Sequence, residues 1–303
     1  MLKYDIRTGA KKIKTKLDII KSLMGITALA LPAVVFLSSG GAQAATTVVT
    51  PSNMDGWAEQ NFGLTADVSF VNGPGTPPLG SGSLRQTVGA NGNDAARIGT
   101  FVYGGTLISD IATLSYSTYV VDNQDAQAPY LVLRIDKDGN GTTDDRLFFE
   151  PVYQNGTYGQ LSYSSSSIPN QCSSNPNCVS LNTWQTWDAD AGGWWSENDS
   201  AGGPPLTTLS DYAAKYPGAQ IATDFQGVRI QSGGGAPTWN NFDGNADAFT
   251  INADTYDFEL TNVNVPANKD ACKKGGWMNL TDQNGDPFKN QGQCVSWTNG
   301  RGQ

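Results

Sequence analysis

The sequence predicts an all-β fold, a jelly roll or β-sandwich with one short helix, and three observations carry that prediction. Short runs rich in Val, Ile, Tyr, Phe and Thr recur from about residue 46 to 262. Clusters of Gly, Ser, Asn and Asp separate them at intervals of roughly 10 to 15 residues, the texture of strands joined by turns. Only one segment has helical character. One helix among about ten strands leaves the packing of sheet on sheet to bury the apolar faces.

The elements follow in chain order. Residues 1–44 read as a secretory signal peptide. Lys3, Arg7, Lys11, Lys12, Lys14, Lys16 and Lys21 precede the apolar run "LMGITALALPAVVFL" from Leu23 to Leu37, and Ala42-Gln43-Ala44 forms a small-x-small cleavage site. The run contains Pro32 and is short for a bilayer span of about 20 residues, which favours cleavage over anchoring and predicts no membrane span afterwards. A sandwich domain is then expected over 45–262. Its strands are "DVSFVNG" (67–73), "GSLRQTVG" (82–89), "ARIGTFVY" (96–103), "ATLSYSTYVVD" (112–122), "YLVLRID" (130–136), "RLFFEPVY" (146–153), "QGVRIQSG" (226–233), "ADAFTINA" (246–253) and "TYDFELTN" (255–262). The helix is "LSDYAAKYPG" (209–218), with Ser210 as its N-cap and Gly218 after its last turn. "VNVPANKD" (263–270) reads as a linker to a tail, 271–303, too small to bury a core of its own.

Charge and cysteine usage bound the function. Residues 45–303 carry 12 basic and 26 acidic residues, a net charge of −14, which argues against nucleic acid and anionic membranes as partners. Cys172 with Cys178 and Cys272 with Cys294 are expected as disulfides in an exported, extracellular or cell-surface protein. The second pair would clip the tail and supply the constraint that its small size lacks. The chain has no histidine, so Ser-His-Asp, Cys-His and His-zinc mechanisms are closed to it.

The body, with "GSGSLRQTVGANGNDAARIGTF", "LSYSTYV", "RLFFEPVY", "LNTWQTWDADAGGWWS" and "WNNFDGNADAFTI…TYDFE", resembles a group of exported bacterial proteins without an assigned activity. Their domains are similar to galactose-binding-like jelly rolls and concanavalin-like sandwiches. The tail "CKKGGWMNL…FKNQGQCVSW" resembles a short C-terminal module of exported bacterial proteins. The resemblance implies a fold and brings no substrate and no site residues.

Three constellations carry chemistry. In "DKDGNGTTDD" (136–145), Asp136, Asp138 and Asn140 alternate ahead of Gly141, Thr142 offers a carbonyl, and Asp144 falls at the ninth position of a calcium-loop pattern. The twelfth position is Leu147 rather than Glu, and the flanks are strand-like. The expectation is therefore a structural calcium (Ca2+) in a hairpin loop, with Asp145 or a distant residue completing the shell. The alternative is an unliganded turn. Second, Trp184, Trp187, Trp194, Trp195 and Trp239 crowd one region, with Asp188 and Asn240 beside them. Flat indole faces suit sugar rings, but large rings also fill cores. Alternation puts Trp194 and Trp195 on opposite faces, and Trp184 and Trp187 likewise. Third, Glu150 is the most interesting of the few glutamates, a weak catalytic candidate of the carboxylate type. The reading that follows is a non-catalytic β-sandwich protein binding carbohydrate or another cell-envelope polymer. A carboxylate-based hydrolase or lyase, and a structural surface protein, are the alternatives.

Overall fold

A computed structural model of the protein describes residues 45–172, 178–200, 202–261, 264–282 and 287–300. The expected signal peptide lies outside the described residues. The body is a sandwich of two seven-stranded sheets. Sheet one is built from β1 (Ala45–Val49), β3 (Ala66–Asn72), β4 (Gly82–Val88), β6 (Leu114–Asp122), β9 (Trp184–Asp188), β13 (Asp243–Ile251) and β14 (Asp254–Phe258). Its axis is β13, which pairs with β6 along one edge and, on the other, with β4 through its first half and β14 through its second. Sheet two runs β10 (Trp195–Ser196), β8 (Asp145–Phe149), β7 (Tyr130–Asp136), β12 (Val228–Gly233), β5 (Ala95–Thr100) and β2 (Trp57–Glu59), with β11 (Gln220–Ile221) also on β7.

Alternation fixes which side chains meet between the sheets. Leu131, Leu133 and Ile135 of β7, Leu147 and Phe149 of β8, and Val228 and Ile230 of β12 join one buried cluster with Leu84, Tyr116, Phe249, Ile251 and Phe258 of sheet one. Trp57 anchors it, meeting Phe249, Tyr256 and Phe258 edge-on with ring centres 5.2–5.3 Å apart. Gln86 is a polar residue in this layer. Its amide donates to the Ala96 and Ile230 carbonyls and accepts from the Ser232 hydroxyl, so its burial leaves no group unsatisfied.

The nine expected strands are all present, with two instructive differences. The run 146–153 stops as a strand at Phe149, because Pro151 has no N–H to continue a ladder, and 151–153 form a 3-10 turn instead. The helix, α1 (Leu209–Lys215), is capped by Thr208 rather than Ser210: the Thr208 side chain accepts the Asp211 N–H. The tail contains a second helix, α2 (Gln291–Gly300), whose polar, apolar-stripe-free sequence gave no periodic signal. Asn290 caps it by accepting the Gln293 N–H. Both expected disulfides, Cys172–Cys178 and Cys272–Cys294, are formed. The second joins Phe288 in a small tail core against Trp277, Leu280, Val295 and Trp297. Among the described residues, no helix is long and apolar enough to cross a membrane.

Candidate functional site

The outward parity of sheet two is where the sequence departs from a simple polar face. Opposite the core-facing residues, β7 presents Tyr130, Val132 and Arg134, β8 presents Arg146 and Phe148, β12 presents Arg229 and Gln231, and β5 presents Arg97. Strand pairing sets Val132 beside Phe148 and Phe148 beside Trp195, and sets Gln231 between Arg97 and Tyr130. Of these, Arg97, Tyr130, Arg146, Phe148 and Gln231, with Trp195, floor a recess of about 600 Å³, walled by Asp125, Gln127, Tyr153, Tyr158 and the 233–239 loop. Gly233 and Gly234 turn that loop at φ of +96° and +94°, where an L side chain is strained; a Cβ on Gly233 would also run into the Asp94 carbonyl.

Aromatic rings form a chain across the recess. Trp195 lies flat on Phe148, ring centres 3.9 Å apart and planes 6° from parallel. Phe148 leads to Tyr130 at 6.3 Å, and Tyr130 to Trp239 at 5.5 Å. Trp195 is partly exposed and Trp239 nearly buried. Polar groups surround them. The Trp195 indole N–H donates to Glu150 at 2.8 Å, and Glu197 holds Arg146 in a two-pronged ion pair. Glu150 sits just past the end of β8. Gln154 braces the turn behind it by donating to the Glu150 and Gly193 carbonyls. Burial pushes the Glu150 carboxyl up to about 7, against the pull of the Trp195 N–H. Near neutral pH the recess therefore holds a carboxyl poised between acceptor and donor.

Of the residues the sequence singled out, Trp195, Trp239 and Glu150 come together in this recess. Four others do not. Trp187 and Trp194 are fully buried in the inter-sheet core, donating to Thr118 and to the Ala189 carbonyl, so neither can meet a ligand. Trp184 is on sheet one, tied to the Pro74 carbonyl and packed on Tyr119. Asn240 is spent on the Gly92 N–H. Asp188, at the end of β9, accepts the Ala191 N–H and also lies on sheet one. Sequence reasoning missed Arg97, Tyr130, Arg146, Phe148 and Gln231. Their only sequence signal is an aromatic, arginine or glutamine at the outward parity of a strand; which strands lie side by side is a matter of tertiary pairing.

The 136–145 loop closes the β7–β8 hairpin. Oxygens of Asp136, Asp138 and Asp144 lie within 4.8 Å of one another, a cluster of three carboxylates that could hold a metal ion. The donor set is only partly free for one. Asp136 is buried, yet it is held as an anion with its pKa near 2: burial alone would raise it, and the Gln220 amide and the Gly141, Gly139 and Asp138 N–H groups outweigh that. Asn140 accepts both the N–H and the hydroxyl of Thr142, and Asp144 accepts the Lys137 N–H. Asp145, expected to help complete a shell, points into the body instead. It pairs with Lys137 at 3.0 Å and accepts the Ser196 and Tyr212 hydroxyls.

No protein-family model and no curated protein matches the chain. Among solved structures, an arabinose-bound α-L-arabinofuranosidase is 8% identical at a TM-score of 0.34, the match covering 67% of this chain and 24% of that one. A structure of carbohydrate-binding modules from the β-sandwich superfamily, described as having promiscuous specificity, is 13% identical at a TM-score of 0.29, over 65% and 57% of the two chains. The SGBP-B protein of a complex xyloglucan utilization locus in Bacteroides uniformis is 10% identical at a TM-score of 0.28, over 63% and 46%. The chain thus spans between a quarter and just over half of these proteins, and likenesses of this extent say nothing about its own ligand.

Proposed function

We propose that this is an exported, non-catalytic β-sandwich protein that binds saccharide in the recess on sheet two, with calcium bracing the β7–β8 hairpin. The observation that carries the reading is the aromatic chain of Trp195, Phe148, Tyr130 and Trp239 beside convergent polar groups in one concavity. Ring faces offer apolar area to the flat faces of pyranoses, and Glu150, Gln127, Gln231 and Arg97 offer donors and acceptors for hydroxyls. Disulfides fit an oxidising compartment. Retention of the folded chain on a panel of insoluble plant and bacterial envelope polysaccharides tests the reading. Wild type is expected to be held by at least one polymer, and Trp195→Ala, checked for an intact melting transition, to be released. A folded wild type that passes every polymer removes the proposal.

A catalytic reading has one observation in its favour, the raised Glu150 carboxyl, which suits a general acid. Carboxylate mechanisms need a second free carboxylate across the bond; the nearby Glu197 is neutralised by Arg146, which leaves Asp125 on the recess wall as the partner such a mechanism would use. Release of reducing ends from a retained polymer, abolished in Glu150→Gln, would put hydrolysis ahead of binding.

A further inference from the structure

Four of the five arginines among the described residues lie on the outward face of sheet two: Arg97, Arg134, Arg146 and Arg229. Two have counter-charges, Arg146 with Glu197 and Arg134 with Asp224 at 3.9 Å. Arg97 and Arg229, on the adjacent strands β5 and β12, have none among the described residues, and in each the buried Nε has no acceptor. Arg229 is 3% exposed and donates through Nη2 to the Gln60 side chain alone. Arg97 lines the recess. Burial, the repulsion of neighbouring arginines and the lack of a carboxylate all weigh against these charges; Arg229 is pulled down to about 10. A guanidinium that faces a recess, partly desolvated and without a carboxylate partner, can meet a planar or tetrahedral oxyanion with two parallel hydrogen bonds. Arg97 also sits at the far end of the recess from Glu150, across β12 and β7, about 14 Å away at strand spacings of about 4.8 Å. That leaves room for two sugar units over the aromatic floor.

Resting on the saccharide reading, we infer that the ligand is an acidic glycan: a sugar bearing a carboxylate or sulfate that pairs with Arg97, with Arg229 on the adjacent strand adding positive potential. A chain with a formal charge of −9 repels polyanions at long range, so preference for an acidic ligand has to come from a local site. The test is calorimetric titration of the folded chain at low and moderate salt. The probes are galacturonate and mannuronate tetramers with their carboxyl-reduced counterparts, and a sulfated galactan tetramer with its desulfated form. The expected result is at least tenfold tighter binding of an acidic tetramer than of its neutral counterpart. The ratio should fall to within about threefold in Arg97→Gln and be partly kept in Arg97→Lys, whereas Trp195→Ala weakens both forms alike. Which acidic tetramer is preferred separates carboxylate from sulfate. Equal affinity for acidic and neutral forms, unmoved by Arg97→Gln, overturns the inference and leaves saccharide binding standing. Binding of no tetramer by the folded protein overturns both.

Discussion

Glu150 is the residue whose chemistry is most altered by its surroundings. Its carboxyl rises from an ordinary 4.5 to about 7 in the folded chain because the recess withholds water. The folded state thus keeps a proton that the unfolded chain gives up, and stability falls as pH rises from about 4.5 to 7. Glu150→Gln keeps the shape without the charge. It should match wild type at pH 4.5 and exceed it at pH 8 by about 2 kcal/mol, the linkage value reduced for the solvent that reaches this group. Urea melts at the two pH values check this; an equal offset at both would mean that folding leaves the Glu150 carboxyl unshifted. The tryptophans divide at the same scale. Replacing the buried Trp187 by Ala should cost about 3–5 kcal/mol and report on folding, while replacing Trp195 should report on binding.

At the scale of elements, the hairpin loop and helix α1 each carry a prediction. If calcium completes the Asp136, Asp138 and Asp144 cluster, binding to the folded state alone must raise the melting temperature. Millimolar calcium should shift the midpoint of chelated protein upward by several degrees, and Asp138→Ala should remove that shift. An unchanged midpoint would make the loop a self-sufficient turn held by Asp136. In α1, Thr208→Ala should cost about 1 kcal/mol and Ser210→Ala much less, since Thr208 holds the Asp211 N–H. Much of this scale was legible in the sequence. Runs such as "YLVLRID" and "QGVRIQSG" announce themselves by β-branched and aromatic content, and α1 by its polar–apolar spacing. What escaped were β1 and β9, five residues each, and β2, β10 and β11, two or three residues long, all of them strands that add to a neighbour's free hydrogen-bonding groups. The α1 cap was misplaced by two residues because Thr and Ser are equally good caps and only geometry chooses between them.

For the whole molecule, the central fact is that sheet two has two dissimilar faces. Its inner face supplies the aliphatic half of the core, and its outer face gathers rings and arginines from four strands and a loop. The sequence showed which residues could point outward, by alternation, and the adjacent pair Trp194 and Trp195 divides as alternation requires. It did not show that residues 97, 130, 148, 195 and 231 share one concavity. That depends on the order β10-β8-β7-β12-β5, set by long-range pairing that no local pattern encodes. The same ordering places the candidate site on a sheet face to which the tryptophan-rich segment contributes only in part. The most direct measurement of the central claim is hydroxyl-radical footprinting of the folded chain, resolved by residue, with and without a retained polysaccharide. The account predicts protection at Trp195 and Tyr158, with Trp184 and the tail residue Trp277 unchanged. Protection at Trp184 or Trp277 with none at Trp195 would contradict it.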